Sequence, residues 1–202
     1  MILSILSPIV SVIALAVSLF TLWFTVLRRG TVRSTHPAFI AVRYDFVRKA
    51  VPQAKIFLRA LLFSTGKRGR VVESLFLRVH HQERKTEFSF WGMGDKDLVR
   101  GSGLFIPETG IATNHHFNPL HADELFVFEP EIYSIELVAK LLGRQKLTSL
   151  WRIPLQIPDG SFGDDIAPDT AVFFNWSAET GRYVVSVESR PGQLSNSPAL
   201  GN

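Results

Sequence analysis

Ile2 to Leu27 is a run of twenty-six residues without a charge, closed at once by Arg28, Arg29 and Gly30. At about 1.5 Å per residue a helix of that length exceeds the roughly 30 Å of bilayer hydrocarbon, so it can span with some tilt or with a frayed first turn at Pro8. A chain carrying such a segment is expected to use residues 1–29 as a transmembrane anchor, with the lipid bilayer as its first partner.

The anchor is patterned more finely than hydropathy requires. Its small residues fall at Ser4, Ser7, Ser11, Ala14, Ser18, Thr21 and Thr25, spaced alternately by three and four, and nearly everything between them is large and apolar. Such a stripe is the seam of a left-handed helix pair, which in lipid is built from small and hydroxyl residues because they let backbones approach. The expectation is a packing seam for another transmembrane helix, either a second copy or a different protein. The competing arrangement has the hydroxyls bonding back to their own i−4 carbonyls while facing lipid.

Arg28, Arg29 and Arg33 lie just beyond the span and no Lys or Arg precedes it, so the positive-inside rule places the following domain in the cytoplasm. A cleaved signal peptide is the competitor, but Ala14-Leu15-Ala16, the segment with a cleavage look, sits in mid-span. The rest of the chain carries 20 Lys plus Arg, the total of 22 less Arg28 and Arg29, against 18 Asp plus Glu. That near balance argues against a nucleic-acid partner. The absence of cysteine excludes disulfides and thiolate chemistry.

Residues 30–37 read as a polar linker closed by Pro37. Runs of strand character follow at 38–46, 54–64, 71–81, 86–92, 103–106, 110–117, 131–142, 147–157, 171–176 and 182–188. Val71, Leu75, Leu77 and Val79 share one parity, as do Tyr133, Ile135, Leu137 and Ala139, and then Trp151, Ile153, Leu155 and Ile157. Many half-buried antiparallel strands without a long amphipathic helix predict a mainly β domain over 38–188, an antiparallel sandwich of immunoglobulin-like type, with Pro154 at an edge or a bulge. Residues 189–202 read as a disordered tail.

The succession of an apolar anchor ending in LRRG, then STGKRG, VVESLFLRV, LVRGSGLFI, NHHF and ETGRY, resembles a family of bacterial single-pass membrane proteins of uncharacterised function. The resemblance implies an anchor plus a β-sandwich-like domain in the inner membrane, and lends no catalytic residue.

Chemistry-bearing residues are sparse. His80-His81 and His115-His116, with His121 and Asp123, contain ligand types for a metal, but neighbours on a strand point to opposite faces, so each pair offers one ligand per face at most. No metal site, cofactor or catalytic set is expected. Ser64 to Arg70, STGKRGR, fails as a Walker loop because Leu61 and Arg68 stand at obligatory positions. Lys67, Arg68 and Arg70 on a glycine-containing hairpin can instead bind an anion. Gly101-Ser102-Gly103 is too short for a nucleophile elbow, and Asp159, Asp164, Asp165 and Asp169 depart from a calcium-loop spacing. Glu73 shares parity with the inward residues of its strand, so it would need a cation such as Arg59 or would lie just outside the core at the strand's start. Three function classes follow: a non-enzymatic membrane-anchored module with a cytoplasmic protein partner, a reader of anionic lipid or phosphate, and a metal-dependent enzyme outside known motifs.

Overall fold

The computed structural model describes residues 2–45, 53–93, 98–101, 103–120, 126–162 and 170–189. One helix, α1 (Ile2–Leu22), runs on into a π-helical turn over Trp23–Leu27, and Pro8–Leu27 is long and apolar enough to cross a membrane. The described side chains of this stretch pack against nothing in the domain.

Among the described residues, everything after the helix is strand, turn or loop. In β3 (Gln53–Ser64) Ala54, Ile56, Leu58, Ala60 and Leu62 are buried while the intervening residues form the opposite face, the period of two that a pleated strand imposes. The same alternation buries Tyr133, Ile135, Leu137, Ala139 and Leu141 in β9 (Ile132–Leu141), and Trp151, Ile153 and Leu155 in β10 (Thr148–Gln156). Each fully buried side chain of this kind contributes roughly 1.5–3 kcal/mol. A one-residue slip would turn a whole row outward, so register is firmly specified.

The remaining strands are β1 (Val32–Ser34), β2 (Phe39–Asp45), β4 (Arg70–His81), β5 (Arg84–Met93), β6 (Leu98–Arg100), β7 (Leu104–Ile106), β8 (Ile111–Pro119), β11 (Thr170–Ser177) and β12 (Arg182–Ser189). All ten expected strands are present within a few residues. β1 and β6 are additional: residues 30–37, read as a linker, lie along the sheet, with Val32 paired to Ser64 and Ser34 to Leu62.

All strands are antiparallel in one ladder of order β10-β9-β4-β5-β8-β3-β2-β11-β12, with β1, β6 and β7 beside β3, β5 and β4. An immunoglobulin-like sandwich has two separate sheets, whereas this ladder is unbroken. β5 serves both halves, pairing with β4 along Phe76–His81 and with β8 along its Phe88–Trp91 segment. The sheet curls until β1 touches β10 at the end of the ladder, and its inner face holds a single core that includes Ile56, Leu77, Phe88, Phe117, Leu137 and Phe174. Tyr44 on β2 accepts the Phe128 N–H at 2.6 Å, tying opposite halves together.

Two local irregularities have sequence causes. Pro154 sits in β10, the terminal strand, where a missing N–H costs least, and the register shifts between Ser149 and Trp151. A second shift in β4 leaves Glu73 unpaired between Val72 and Ser74. That bulge corrects the expected parity: Val72 turns inward, Val71 does not, and Glu73 is exposed, paired with Lys140 at 3.0 Å rather than with Arg59. Of residues 189–202, expected as a tail, Ser189 closes β12 opposite Thr170, and 190–202 lie outside the described residues.

Candidate anion site at the helix exit

The chain leaves the helix in a tightly determined way. Arg28 is extended, and its N–H donates to the Trp23 carbonyl at 2.8 Å, closing the π turn. The Phe20 and Phe24 rings, one helical turn apart, meet at a tilt of 41° with centroids at 4.4 Å, and the Arg28 guanidinium lies 5.5 Å above the Phe24 ring. Apolar rings and a guanidinium in sequence are what a bilayer interface accommodates.

Gly30 then meets the β3–β4 hairpin. A Cβ on Gly30 would come within 2.3 Å of the Gly66 nitrogen, so only glycine permits this approach. Thr31 and Thr65 fasten it: the Thr65 N–H donates to the Thr31 carbonyl at 2.9 Å and the Thr31 N–H to the Thr65 Oγ1 at 2.9 Å. Within the turn, Gly69 N–H donates to the Gly66 carbonyl at 3.0 Å and Gly69 adopts a φ of +67°. The Phe105 ring lies where a Gly69 side chain would be.

These contacts bring two separate sequence signals together. Arg28 and Arg29 from the helix exit, and Arg68 and Arg70 from the hairpin, line one cavity of about 290 Å³ floored by Gly30, Gly66 and Gly69. No carboxylate lines it among the described residues. Phe105 and Leu142, both more than half exposed, form an apolar rim. Arg70 donates Nη2 to the Leu142 carbonyl at 3.3 Å, and its guanidinium pKa falls below the usual range, first through desolvation and then through repulsion by Arg144 and Arg29. Four guanidiniums around one cavity with no carboxylate in its lining are electrostatically unsatisfied, and an anion with several acceptor oxygens would satisfy them. Lys67 and Arg33, expected alongside these arginines, are not among the lining residues.

The histidines separate as strand geometry requires. His115 faces the core at 1% exposure among Phe90 and Phe117, while His116 on the outer face meets the Phe57 ring edge-on at 4.7 Å. Burial pushes the His115 pKa down to about 4 against the opposing pull of the Ala60 backbone, which lies outside good hydrogen-bond geometry with either ring nitrogen. His81 pairs with Glu131 at 2.5 Å and stacks on Tyr133. His80 lies 3.3 Å from Glu136. No three His, Asp or Glu side chains come together to hold a metal among the described residues. His121 and Asp123 lie outside the described residues, as do Ser102, Asp164, Asp165 and Asp169.

Sequence reasoning missed Glu136. It is buried on the outer face of β9 between its direct cross-strand neighbours, Arg78 of β4 and Arg152 of β10, at 3.8 and 3.1 Å. Desolvation opposes its charge, but hydrogen bonds from Ser149, Arg152 and His80 prevail and hold its pKa at about 2. A carboxylate fixed in its charged form between two guanidiniums cross-links three strands and is poorly suited to pass a proton near neutrality. Only the ladder's register reveals that row.

No protein-family model, curated protein or solved structure matches the chain.

In the helix, Ser18, Thr21 and Thr25 donate their hydroxyls to the carbonyls of Ala14, Val17 and Thr21 at 2.7–2.8 Å. These three hydroxyl protons are thus used within the helix, and the stripe Ser11, Ala14, Ser18, Thr21 and Thr25 offers a partner chiefly its small volume. The side chains of Ser4 and Ser7 lie outside the described residues.

Proposed function

We propose that the protein is a non-enzymatic module anchored by one transmembrane helix in a bacterial inner membrane, whose cytoplasmic domain rests on the bilayer and reads anionic headgroups. The observation that carries this is the cavity shared by Arg28, Arg29, Arg68 and Arg70, one residue beyond the last helical turn. A cavity so close to the end of a spanning helix lies at headgroup depth, and a phosphate there accepts from several guanidiniums at once. The exposed Phe105 and Leu142 suit the adjoining acyl boundary.

Presentation of strand edges and loops to a cytoplasmic protein partner belongs to the same proposal, as does a partner helix along the small-residue seam. Membership of the bacterial single-pass family is likewise proposed, on the quoted segments.

Hydrogen exchange on the full chain in nanodiscs tests the headgroup site. Amides of residues 65–70 should exchange more slowly in discs containing phosphatidylglycerol than in discs of phosphatidylcholine alone. Equal exchange in the two, with the rest of the domain unchanged, would overturn the proposal.

A further inference from the structure

The ladder ends at β12, which pairs with β11 alone among the described residues. Natural edge strands are blunted by charged side chains, proline, bulges or short length. β12 has charge only near its two ends, at Arg182 and Glu188, and no proline or bulge: Arg182 to Ser189, RYVVSVES, runs in unbroken register from Ser177↔Arg182 to Thr170↔Ser189. It is also apolar where it is open. Val185 and Val187 lie opposite the buried Phe174 and Val172, so they continue the core face, yet they are 37% and 48% exposed; Val184 on the other face is 52% exposed.

The strand is self-complementary about Val185. An antiparallel copy centred there sets Val185 against Val185, Tyr183 against Val187 and Val184 against Ser186. It also sets Arg182 opposite Glu188 at both ends, and these are the only charges in the strand. Partners in an antiparallel pair share a face, so the apolar residues meet on the core side and the opposite charges meet outside. We infer that β12 joins β12 of a second copy of this chain, extending the sheet across a two-fold axis at Val185. Such an interface is isologous and closes on itself, which removes the free edge instead of propagating it.

The chain has no cysteine, so single cysteines report position without background. In full-length protein reconstituted in bilayers, Val185→Cys should form a covalent dimer with a short bismaleimide, whereas Ile132→Cys, 65% exposed on β9, should not. Adding Arg182→Glu to the Val185→Cys chain places like charges opposite one another at both ends and should lower its cross-linking about tenfold, as should Glu188→Arg. The double reversal, Arg182→Glu with Glu188→Arg, should restore it. Melting temperatures of the variants, expected to match wild type, separate lost pairing from lost folding. Equal cross-linking at positions 185 and 132, or no rescue by the double reversal, would overturn the inference. So would a position-185 dimer formed only after deletion of residues 190–202, since the chain's own segment would then be the occupant of the edge.

Discussion

Gly30 and Gly66 stand backbone against backbone, so close that a Cβ on Gly30 would sit 2.3 Å from the Gly66 nitrogen. This contact joins the helix exit to the β3–β4 hairpin and brings Arg28 and Arg29 to Arg68 and Arg70. Gly30→Ala should lower stability by about 1–3 kcal/mol, the usual cost of forcing atoms into a filled space. It should also raise hydrogen exchange at Thr31 and Thr65. Thermal melting of the full chain in detergent, together with exchange at those two amides, checks both effects.

The hairpin charges should behave differently from its glycines. Replacing Lys67 and Arg68 by Ser should leave the melting temperature nearly unchanged, because exposed charges contribute little to stability. A fall of many degrees would mark the loop as structural.

His115 sets an acid limit on stability. Its folded pKa of about 4 lies below the ordinary 6.5, so below 6.5 the unfolded chain binds a proton that the folded chain refuses. Stability is therefore full above about pH 6.5 and declines as pH falls towards 4, by up to roughly 3 kcal/mol for this group. His115→Leu should flatten that decline. Denaturant midpoints at pH 7 and pH 4.5, compared between variant and wild type, measure the difference.

Much of the fold was legible because a half-buried strand writes its two faces into sequence, as β9 and β10 do. β1 escaped because it lies in a polar stretch closed by Pro37, which reads as a linker. Glu73 was placed inward because a bulge between Val72 and Ser74 leaves no mark in alternating hydrophobicity, and the continuity of the sheet depends on how far β5 bends. At the candidate site, Arg68 and Arg70 were legible as a charged turn, and Arg28 and Arg29 as a topology signal. Their union was not, because it depends on a contact between two glycines thirty-six positions apart.

The helix seam should depend on volume. The Ser18 hydroxyl is already bound to the Ala14 carbonyl, so Ser18→Leu and Ser11→Leu should weaken helix association by added bulk, whereas Ser11→Ala should be nearly silent. Val12→Leu and Leu19→Ile are the off-seam controls. A helix-association reporter in a bacterial membrane ranks all five, and equal signals throughout would reduce the segment to an anchor.

Topology has its own test. With Arg28, Arg29 and Arg33 controlling insertion, alkaline phosphatase fused after Asn202 should be inactive and a cytoplasmic reporter active. An active phosphatase would place the domain on the other side.

The central claim, that the arginine cavity holds an anionic headgroup, is tested most directly by counting lipids. Native mass spectrometry of the full chain released from bilayers of mixed phosphatidylglycerol and phosphatidylcholine should show retained phosphatidylglycerol. Arg68→Gln with Arg70→Gln should lose it about thirtyfold, at roughly 1 kcal/mol per arginine. Inorganic phosphate at millimolar concentration distinguishes a lipid headgroup, which should stay bound, from a free-phosphate site, where the two ions would exchange. Equal retention of both lipids, or retention unchanged by the double substitution, would contradict the claim.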